Sequence, residues 1–182
     1  MMKFCSNCAT ALSYAIPQGD VLPRHLCNSC GSIHYLNPKI VAGCIPVWED
    51  RILICKRAIN PRYGKWTLPA GFMENGETVA QAASRETMEE AEAKVIDLEL
   101  HGLFNIPHVN QVYIMFRARL ELPEFGPGSE SLEVRLATED DIPWDELAFP
   151  VIHRALGLFF EDRRIGSFKS HVFDIEPMKK SP

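Results

Sequence analysis

The chain has 182 residues, a length that suits one ordinary domain with a small appendage. Its hydrophobic residues make up 46% and its charged residues 24%, which is the range of a soluble globular protein. A formal net charge of −5, with no block of lysines and arginines, argues against a nucleic-acid partner. No apolar run approaches the roughly 20 residues that cross a bilayer, and the first residues lack the apolar stretch of a signal peptide. We therefore expect a cytoplasmic protein with no membrane partner and with reduced cysteines.

Two cysteine pairs of the form C-x2-C lie near the amino terminus and are separated by eighteen residues. Such pairs are typical of a four-cysteine zinc ribbon, because each pair offers two thiolates to one tetrahedral ion. The predicted ligands are Cys5, Cys8, Cys27 and Cys30. Two disulfides or an iron site are the alternatives. We predict a structural zinc ion in a domain of residues 1–36, with His25 and His34 as surface or packing residues.

Two strands are predicted next. Residues 40–48 form a largely apolar run, and residues 52–55 return as its partner after a short turn. Pro46 favours an edge position or a bulge, because proline cannot donate to a strand ladder. Cys44 and Cys55 lie within these runs and are predicted to be buried packing thiols.

A basic loop follows, KRAINPRYGKW. Its cations either contact phosphates or are ordinary solvated charges, and the sequence leaves both interpretations open. They are Lys56, Arg57, Arg62 and Lys65. Trp66 follows this loop and is expected in the core rather than as a stacking platform.

A helix is predicted from Thr78, which forms a capping box with Gln81. Glu86, Glu89 and Glu90 then lie at i, i+3 and i+4, so that their carboxylates share one face. Like charges at this spacing repel by a few tenths of a kcal/mol per pair. A helix that holds a divalent cation has a reason to accept this cost, because Mg²⁺ and Mn²⁺ prefer oxygen ligands. A solvated acidic helix is the alternative.

Arg85 and Glu77 flank this acidic set. Arg85 is one residue from Glu86, and we therefore expect it to face another way. Its predicted role is to pair with a carboxylate, Glu77, and so fix the loop before the helix.

The second half of the chain is predicted to hold strands over residues 95–104 and 111–122, joined by a loop over residues 105–110. His108 in that loop either touches a ligand or is inert. A flexible loop is predicted over residues 123–131.

A helix over residues 150–162 should pack on the sheet, because its apolar residues recur at helical spacing. Residues 167–175 alternate and predict a last strand, at an edge or at a dimer interface. Residues 178–182 are predicted to be a frayed tail.

The stretch from Gly71 to Ala93 resembles the Nudix box, G-x5-E-x7-R-E-u-x-E-E-x-G-u, where u is a bulky apolar residue. Six positions match in register: Gly71, Glu77, Arg85, Glu86, Glu89 and Glu90. Three depart, namely Thr87, Glu92 and Ala93, and they concern packing and the helix end rather than the carboxylates.

With the cysteine pairs, the chain resembles the zinc-ribbon branch of the Nudix hydrolases. The resemblance implies an α/β fold for residues 37–182, a Nudix α/β/α sandwich around a mixed sheet, with a strand over residues 66–71. It also implies a pyrophosphohydrolase that uses Mg²⁺ or Mn²⁺. The implied ligands are Glu86, Glu89, Glu90 and Glu133. Glu130 competes with Glu133, and the general base is Glu86, Glu130 or Glu133.

Two subfamilies share this layout. NADH pyrophosphatases carry an SQPWPFP-type signature after the box, and residues 103–108 do not match it. Residues 27–44, 56–72 and 127–136 look like the group that hydrolyses FAD to AMP and FMN, or ADP-ribose to AMP and ribose 5-phosphate. The implied partner is thus a small dinucleotide, contacted by Arg57, Arg62 and Lys65. An NADH pyrophosphatase and a non-catalytic nucleotide-sensing module are the alternatives. Because Nudix enzymes are often homodimers, we expect a homodimer.

Overall fold

A computed structural model describes residues 2–177. The tail that is predicted to fray, residues 178–182, lies outside the described residues. The chain divides into two compact units, one ending at Asn37 and the other beginning at Pro38.

The first unit is a small antiparallel sheet with cysteine-bearing turns. Its three strands pair in the order β1–β2–β3 and are β1 (Ser13–Ala15), β2 (Arg24–Leu26) and β3 (Ile33–His34). Within residues 2–37, the side chains that are buried are those of Cys5, His25 and Cys27. The unit therefore has no apolar core of its own within this described range, and its thiols occupy the place of a core.

The second unit is built on an eight-stranded mixed sheet. Its strands are β4 (Lys39–Trp48), β5 (Arg51–Arg57), β6 (Trp66–Thr67), β7 (Ala70–Phe72), β8 (Val95–Ile106), β9 (Gln111–Leu120), β10 (Ser131–Ala137) and β11 (His171–Asp174). The main order is β10-β5-β4-β9-β8-β11, with β6 beside β5 and β7 beside β4. The pairs β4–β9 and β8–β11 are parallel and the others antiparallel.

One helix covers each face of this sheet, α1 (Val79–Ala91) and α2 (Pro150–Ile165). Ala42 and Cys44 pack with α1, whereas Ile45 belongs to the core cluster that contains the buried face of α2. Alternating side chains of a strand point to opposite faces, so β4 contributes side chains to the core on each face of the sheet. The predicted α/β/α sandwich is confirmed. Within residues 2–177, neither helix is long and apolar enough to cross a bilayer.

The prediction for Pro46 is wrong. It lies in β4, a central strand, and is paired in parallel register with Ala118 of β9. On its other side, β4 pairs with β7 at residues 41–43 and with β5 only at residues 47–48. Pro46 therefore lies in the gap between two partners, where the missing N–H costs no ladder bond.

The strand predicted over residues 66–71 is divided into β6 and β7. The chain leaves β5 and joins β4 across Leu68 and Pro69, and the carbonyl of Pro69 accepts a hydrogen bond from Cys44 N at 3.1 Å. This step delivers Gly71 toward α1.

Helix α1 begins and ends with clear signals. The predicted capping box is confirmed, since Gln81 N donates to Thr78 Oγ1 at 3.2 Å and Thr78 N donates to Gln81 Oε1 at 2.8 Å. At the other end, Glu92 takes a left-handed conformation with φ of 48°. The box has glycine here, and a non-glycine residue in this region is strained.

Replacing Glu92 by glycine is therefore expected to raise the free energy of unfolding by about 1 kcal/mol, because the left-handed penalty disappears. Chemical denaturation measures this change. Glu161→Gly is the matched control, since Glu161 is exposed in the interior of α2 and glycine there should cost about 1 kcal/mol. Equal destabilisation by both variants would contradict the strain at Glu92.

Candidate active site

A cavity of about 980 Å³ opens in the second unit and collects the acidic residues of α1. Glu86, Glu89 and Glu90 line it together, as their predicted common face requires. Glu86 is 9% exposed and Glu90 is 6% exposed, which is unusual for carboxylates. Glu86 and Glu90 are therefore not solvated surface carboxylates, whereas Glu89 lines the cavity from an exposed position.

Close packing around Gly71 explains the first glycine of the box. A Cβ atom at Gly71 would overlap the carboxylate of Glu86. Ala70 N, one residue earlier, donates to Glu90 Oε2 at 3.3 Å. Strand β7 therefore approaches α1 closely enough to orient two of its carboxylates.

Arg85 binds three carboxylates at once. Its guanidinium donates to Glu77 through Nη2 at 2.8 Å and Nε at 3.1 Å, to Glu86 at 2.7 Å and to Glu89 at 2.9 Å. It also reaches Phe72 O at 3.1 Å. The pairing with Glu77 is as predicted. The expectation that Arg85 faces away from Glu86 is wrong, because its long side chain turns back across the helix surface.

The carboxylates have different proton affinities. Hydrogen bonds from Arg85, together with Glu74 N at 2.7 Å, lower the pKa of Glu77. Burial raises the pKa of Glu90 to about 8, and burial also raises that of Glu86 against the opposing effect of Arg85. Such a desolvated acidic pair favours protons or a cation as its counter-charge.

Glu130 completes the acidic lining, and the structure places Glu133 elsewhere. Gly126 N donates to Ala91 O at 2.9 Å and Gly128 N to Glu90 O at 3.2 Å, so the loop before β10 lies over the end of α1. Glu130 follows this loop and lines the cavity. Its charge also raises the pKa values of Glu86 and Glu90.

Glu133 points away because of strand alternation. Its neighbour Val134 packs in the cluster that contains Ala91 of α1, so Glu133 faces the opposite side of the sheet. There its carboxylate lies 4.0 Å from Lys56 Nζ. The geometry therefore favours Glu130 over the predicted Glu133.

The four cations of the basic loop also fall into two groups, one inside the cavity and one outside it. Arg57 and Arg62 line the cavity, whereas Lys65 and Lys56 are not among the described residues of its wall. Arg57 donates to Pro61 O at 3.0 Å and lies 5.2 Å from the ring centroid of Phe149. Its charge acts against burial to lower the pKa of Glu90, so this cation and the acidic set share one region.

The sequence did not reveal the apolar part of the wall, which comes from strand ends and from the start of α2. It includes Ile106, Val109, Tyr113, Phe149, Val151 and Ile175. His108 also lines the cavity.

Three residues of the predicted core are buried as expected. Trp66 is 5% exposed and packs in the core, as predicted. Cys44 and Cys55 are buried thiols, and burial raises the pKa of Cys44 to about 12.

The four predicted zinc ligands of the first unit form one cluster, with Sγ atoms all within 4.8 Å of one another. Cys5 and Cys30 are 3.7 Å apart, and Cys8 and Cys27 are 3.4 Å apart. A tetrahedron with zinc–sulfur bonds of about 2.3 Å has edges of about 3.8 Å, so these separations fit one ion. All six cysteines, which lie within residues 2–177, are free thiols, in agreement with a metal cluster rather than disulfides.

Neighbouring side chains contact the thiols of the cluster. The Thr10 hydroxyl, 3.4 Å from Cys8 Sγ, lowers the pKa of Cys8 to about 6. His25 is buried and packs 5.0 Å from the Tyr14 ring, as a packing residue. His34 is more than that, because its Nε2 lies 3.3 Å from Cys5 Sγ. We interpret His34 as a hydrogen-bond partner of a ligand thiolate.

Two family models match the chain. The model described as Nudix N-terminal covers residues 3–36, and the model described as NUDIX domain covers residues 37–155. A protein named NAD-capped RNA hydrolase NudC, from Chromobacterium violaceum, is 33% identical over 132 residues, which are 72% of this chain and 48% of that protein. The chain thus spans about half the length of the curated relatives it matches.

Solved structures with a similar fold are also Nudix proteins. The crystal structure of a NUDIX hydrolase from Nitrosomonas europaea is 52% identical, with a TM-score of 0.90, and the match covers 96% of this chain and 100% of that one. An ADP-ribose pyrophosphatase from Streptococcus suis shares the fold at 24% identity and a TM-score of 0.61, over 75% of this chain and 99% of that one. The NUDIX domain model covers more than half of the chain, and the chain belongs to the Nudix hydrolase family, in the branch with an N-terminal zinc ribbon.

Proposed function

We propose that this chain hydrolyses the diphosphate bond of a dinucleotide, with FAD and ADP-ribose as its foremost substrates. One observation carries the proposal, namely that carboxylates of α1 and of the loop before β10 line the same cavity as two arginines of the basic loop. They are Glu86, Glu89, Glu90, Glu130, Arg57 and Arg62. Arginines recognise phosphate oxygens, and a volume of about 980 Å³ is at the upper end of the range of ligand pockets.

The carboxylates fit a hard divalent cation. Glu86, Glu89 and Glu90 offer the oxygen ligands that Mg²⁺ and Mn²⁺ prefer. Burial of Glu86 and Glu90 is costly unless a positive charge compensates it. When bound, such an ion neutralises charge on the phosphoryl oxygens and lowers the pKa of water.

The side chains of the chain supply the remaining steps. Arg57 and Arg62 bind the bridging diphosphate and hold it against the acidic residues. Glu130 takes a proton from water, whose oxygen forms a bond to one phosphorus while the anhydride P–O bond breaks. The leaving phosphate departs as a phosphomonoester, so FAD gives AMP and FMN, and ADP-ribose gives AMP and ribose 5-phosphate. Positioning and charge stabilisation dominate such phosphoryl transfers.

Arg85 and Glu77 act as positioning residues. Arg85 orients Glu86 and Glu89, and Glu77 holds the far side of the guanidinium with two hydrogen bonds. The salt-bridged set fixes the carboxylates before substrate binds, which reduces the ordering cost at the moment of reaction.

NADH is the second candidate substrate. The relative from Chromobacterium violaceum is named an NAD-capped RNA hydrolase, and this name supports a substrate that contains a nicotinamide dinucleotide. Residues 103–108, by contrast, lack the signature of NADH pyrophosphatases. The cavity wall combines phosphate-binding arginines with apolar and aromatic side chains, and this arrangement suits the flat ring of any of these dinucleotides.

A substrate panel tests the proposal. FAD, ADP-ribose, NADH, NAD, coenzyme A, nucleoside triphosphates and an NAD-capped RNA are incubated with Mg²⁺ or Mn²⁺, and products are identified by mass spectrometry. We expect AMP from FAD or ADP-ribose at the highest kcat/KM. Cleavage of nucleoside triphosphates alone would reject a dinucleotide substrate.

The assignment of Glu130 gives a separate prediction. Glu130→Gln is expected to reduce kcat by roughly 100- to 10,000-fold, the usual contribution of a general base. Binding of Mn²⁺, followed by electron paramagnetic resonance, should change little. Glu133→Gln is the matched control, because Glu133 pairs with Lys56 outside the cavity, and it should retain kcat within about twofold. A larger loss of kcat in Glu133→Gln than in Glu130→Gln would instead favour Glu133 as the general base.

A further inference from the structure

The wall of the cavity includes a segment beyond the matched NUDIX domain. The domain model ends at residue 155, yet Ile175, Glu176 and Pro177 line the same cavity as the carboxylates of α1. This segment follows β11, the edge strand that pairs in parallel with β8. The cavity is therefore lined both by the acidic residues of α1 and by residues outside the matched domain.

Several contacts hold this segment in place. Ile175 N donates to Asn105 O at 2.8 Å, and Asn105 Nδ2 donates to Asp174 Oδ1 at 2.9 Å. At the start of β11, His171 Nε2 lies 2.7 Å from the buried carboxylate of Asp162 in α2. Because both a sheet ladder and a helix contact fix β11, the residues that follow it enter the cavity at a defined place.

The segment offers apolar and acidic surface side by side. Ile175 packs against the core cluster that contains Ile106, and Ile106 and Val109 also line the cavity. Glu176 is exposed and lines the cavity next to this apolar surface. A flat base suits the apolar part, and the carboxylate suits a group with hydrogen-bond donors beside that base.

The ribose diol of a nucleoside has these donors. A carboxylate accepts hydrogen bonds from two neighbouring hydroxyls, and the same arrangement selects a free ribose in dinucleotide-binding folds. A phosphate on either hydroxyl removes a donor and adds negative charge next to the carboxylate. Adenosine is the part that FAD, ADP-ribose and NADH have in common, so a contact with its ribose would act on all three substrates alike.

We propose that Glu176 is a specificity-determining residue that accepts hydrogen bonds from the adenosine ribose and excludes substrates with a phosphate on it. The inference rests on the proposed dinucleotide hydrolysis. The excluded group comprises 2′-phosphorylated dinucleotides such as NADPH, coenzyme A with its 3′-phosphate, and dinucleotides whose adenosine 3′ oxygen continues into RNA. Selection of this kind separates free dinucleotides from capped RNA.

The test compares paired substrates that differ by one phosphate, NADH with NADPH and ADP-ribose with 2′-phospho-ADP-ribose. We expect the unmodified chain to prefer the non-phosphorylated member by roughly 10- to 100-fold in kcat/KM, mainly through KM. Glu176→Gln should reduce this preference about tenfold, and Glu176→Lys should remove or invert it. Glu161→Gln, the same change at an exposed position of α2 that is not among the described residues of the wall, should leave the preference unchanged.

The outcomes separate the two proposals. Equal kcat/KM for both members of a pair in the unmodified chain, or a preference that survives in Glu176→Gln, would overturn the role of Glu176. If the unmodified chain cleaves none of these dinucleotides, the proposed function is wrong. In that case, calorimetry compares the binding of ADP-ribose with that of 2′-phospho-ADP-ribose. Equal affinities in the unmodified chain would reject the role of Glu176. A preference for ADP-ribose that Glu176→Gln abolishes would support this role.

Discussion

Glu90→Gln is expected to reduce kcat by roughly 100- to 1,000-fold at saturating Mg²⁺ while the chain still folds. Glu90 lies in the cavity at 6% exposure, and its carboxylate is one of three proposed oxygen ligands on α1. Glutamine keeps the shape and retains an acceptor for Ala70 N. It removes the negative charge and one of the two ligand oxygens, so the loss of activity reports on the carboxylate as a metal ligand.

Glu90→Gln is expected to lower activity but not the stability of the chain when divalent metal is absent. The pKa of Glu90 is about 8 in the folded chain, above the value of 4.5 for a free glutamate. Between these values the folded state binds more protons than the unfolded state, so the free energy of unfolding falls as pH rises from 4.5 to 8. In EDTA, Glu90→Gln should therefore flatten this part of the pH profile and unfold at least as late as the unmodified chain at pH 8. Thermal denaturation at several pH values measures it.

The control is Glu92→Gln, the same chemical change at an exposed position two residues further along. Both its kcat and its pH profile should match those of the unmodified chain. Near-normal turnover of Glu90→Gln at saturating Mg²⁺ would refute the proposed ligand set. Loss of folding in both variants would instead place the effect in the helix end.

The acidic face of α1 could be predicted from the sequence because a helix fixes the spacing of neighbouring side chains. Positions 86, 89 and 90 share a face in any α-helix, and the capping box at Thr78 sets where the helix begins. Arg85 shows the limit of this reasoning. Cβ directions predict a separate face, but a guanidinium at the end of a long side chain reaches Glu86 and Glu89.

Glu130 could not be chosen over Glu133 from local pattern. The choice depends on how the loop before β10 crosses the end of α1, where a Cβ at Gly128 would overlap the carbonyl oxygen of Glu89. It depends also on the register of β10, which turns Val134 toward α1 and Glu133 away. Both are tertiary facts, since strand register is set by pairing with a distant segment.

The position of Glu176 in the cavity could not be predicted from the sequence for the same reason. The alternation of residues 167–175 predicts a strand, and β11 is shorter, lies at the edge of the sheet and runs parallel to β8. The parallel register with β8 brings Ile175 alongside Asn105, and thereby takes Glu176 into the cavity. Sequence alone supplied neither the partner strand nor its direction.

Cys27→Ser is expected to release the metal of the first unit and to unfold that unit. Within residues 2–37 the buried side chains are those of Cys5, His25 and Cys27, so the folding free energy cannot come from apolar burial. A structural zinc site contributes about 10–16 kcal/mol of apparent binding free energy in zinc-finger peptides, far more than a small sheet supplies. A serine hydroxyl is a poor zinc ligand, and the remaining three thiolates close no tetrahedral shell.

Two measurements on the full chain check this. Elemental analysis should give about one zinc per unmodified chain and close to none for Cys27→Ser. Amide hydrogen exchange should show loss of protection in β1–β3. Ser29→Ala, at an exposed position of the same turn, is the control and should keep both zinc and protection. An unmodified chain purified without zinc or another metal, with β1–β3 still protected, would reject the site, because the thiol cluster would then hold the fold by itself.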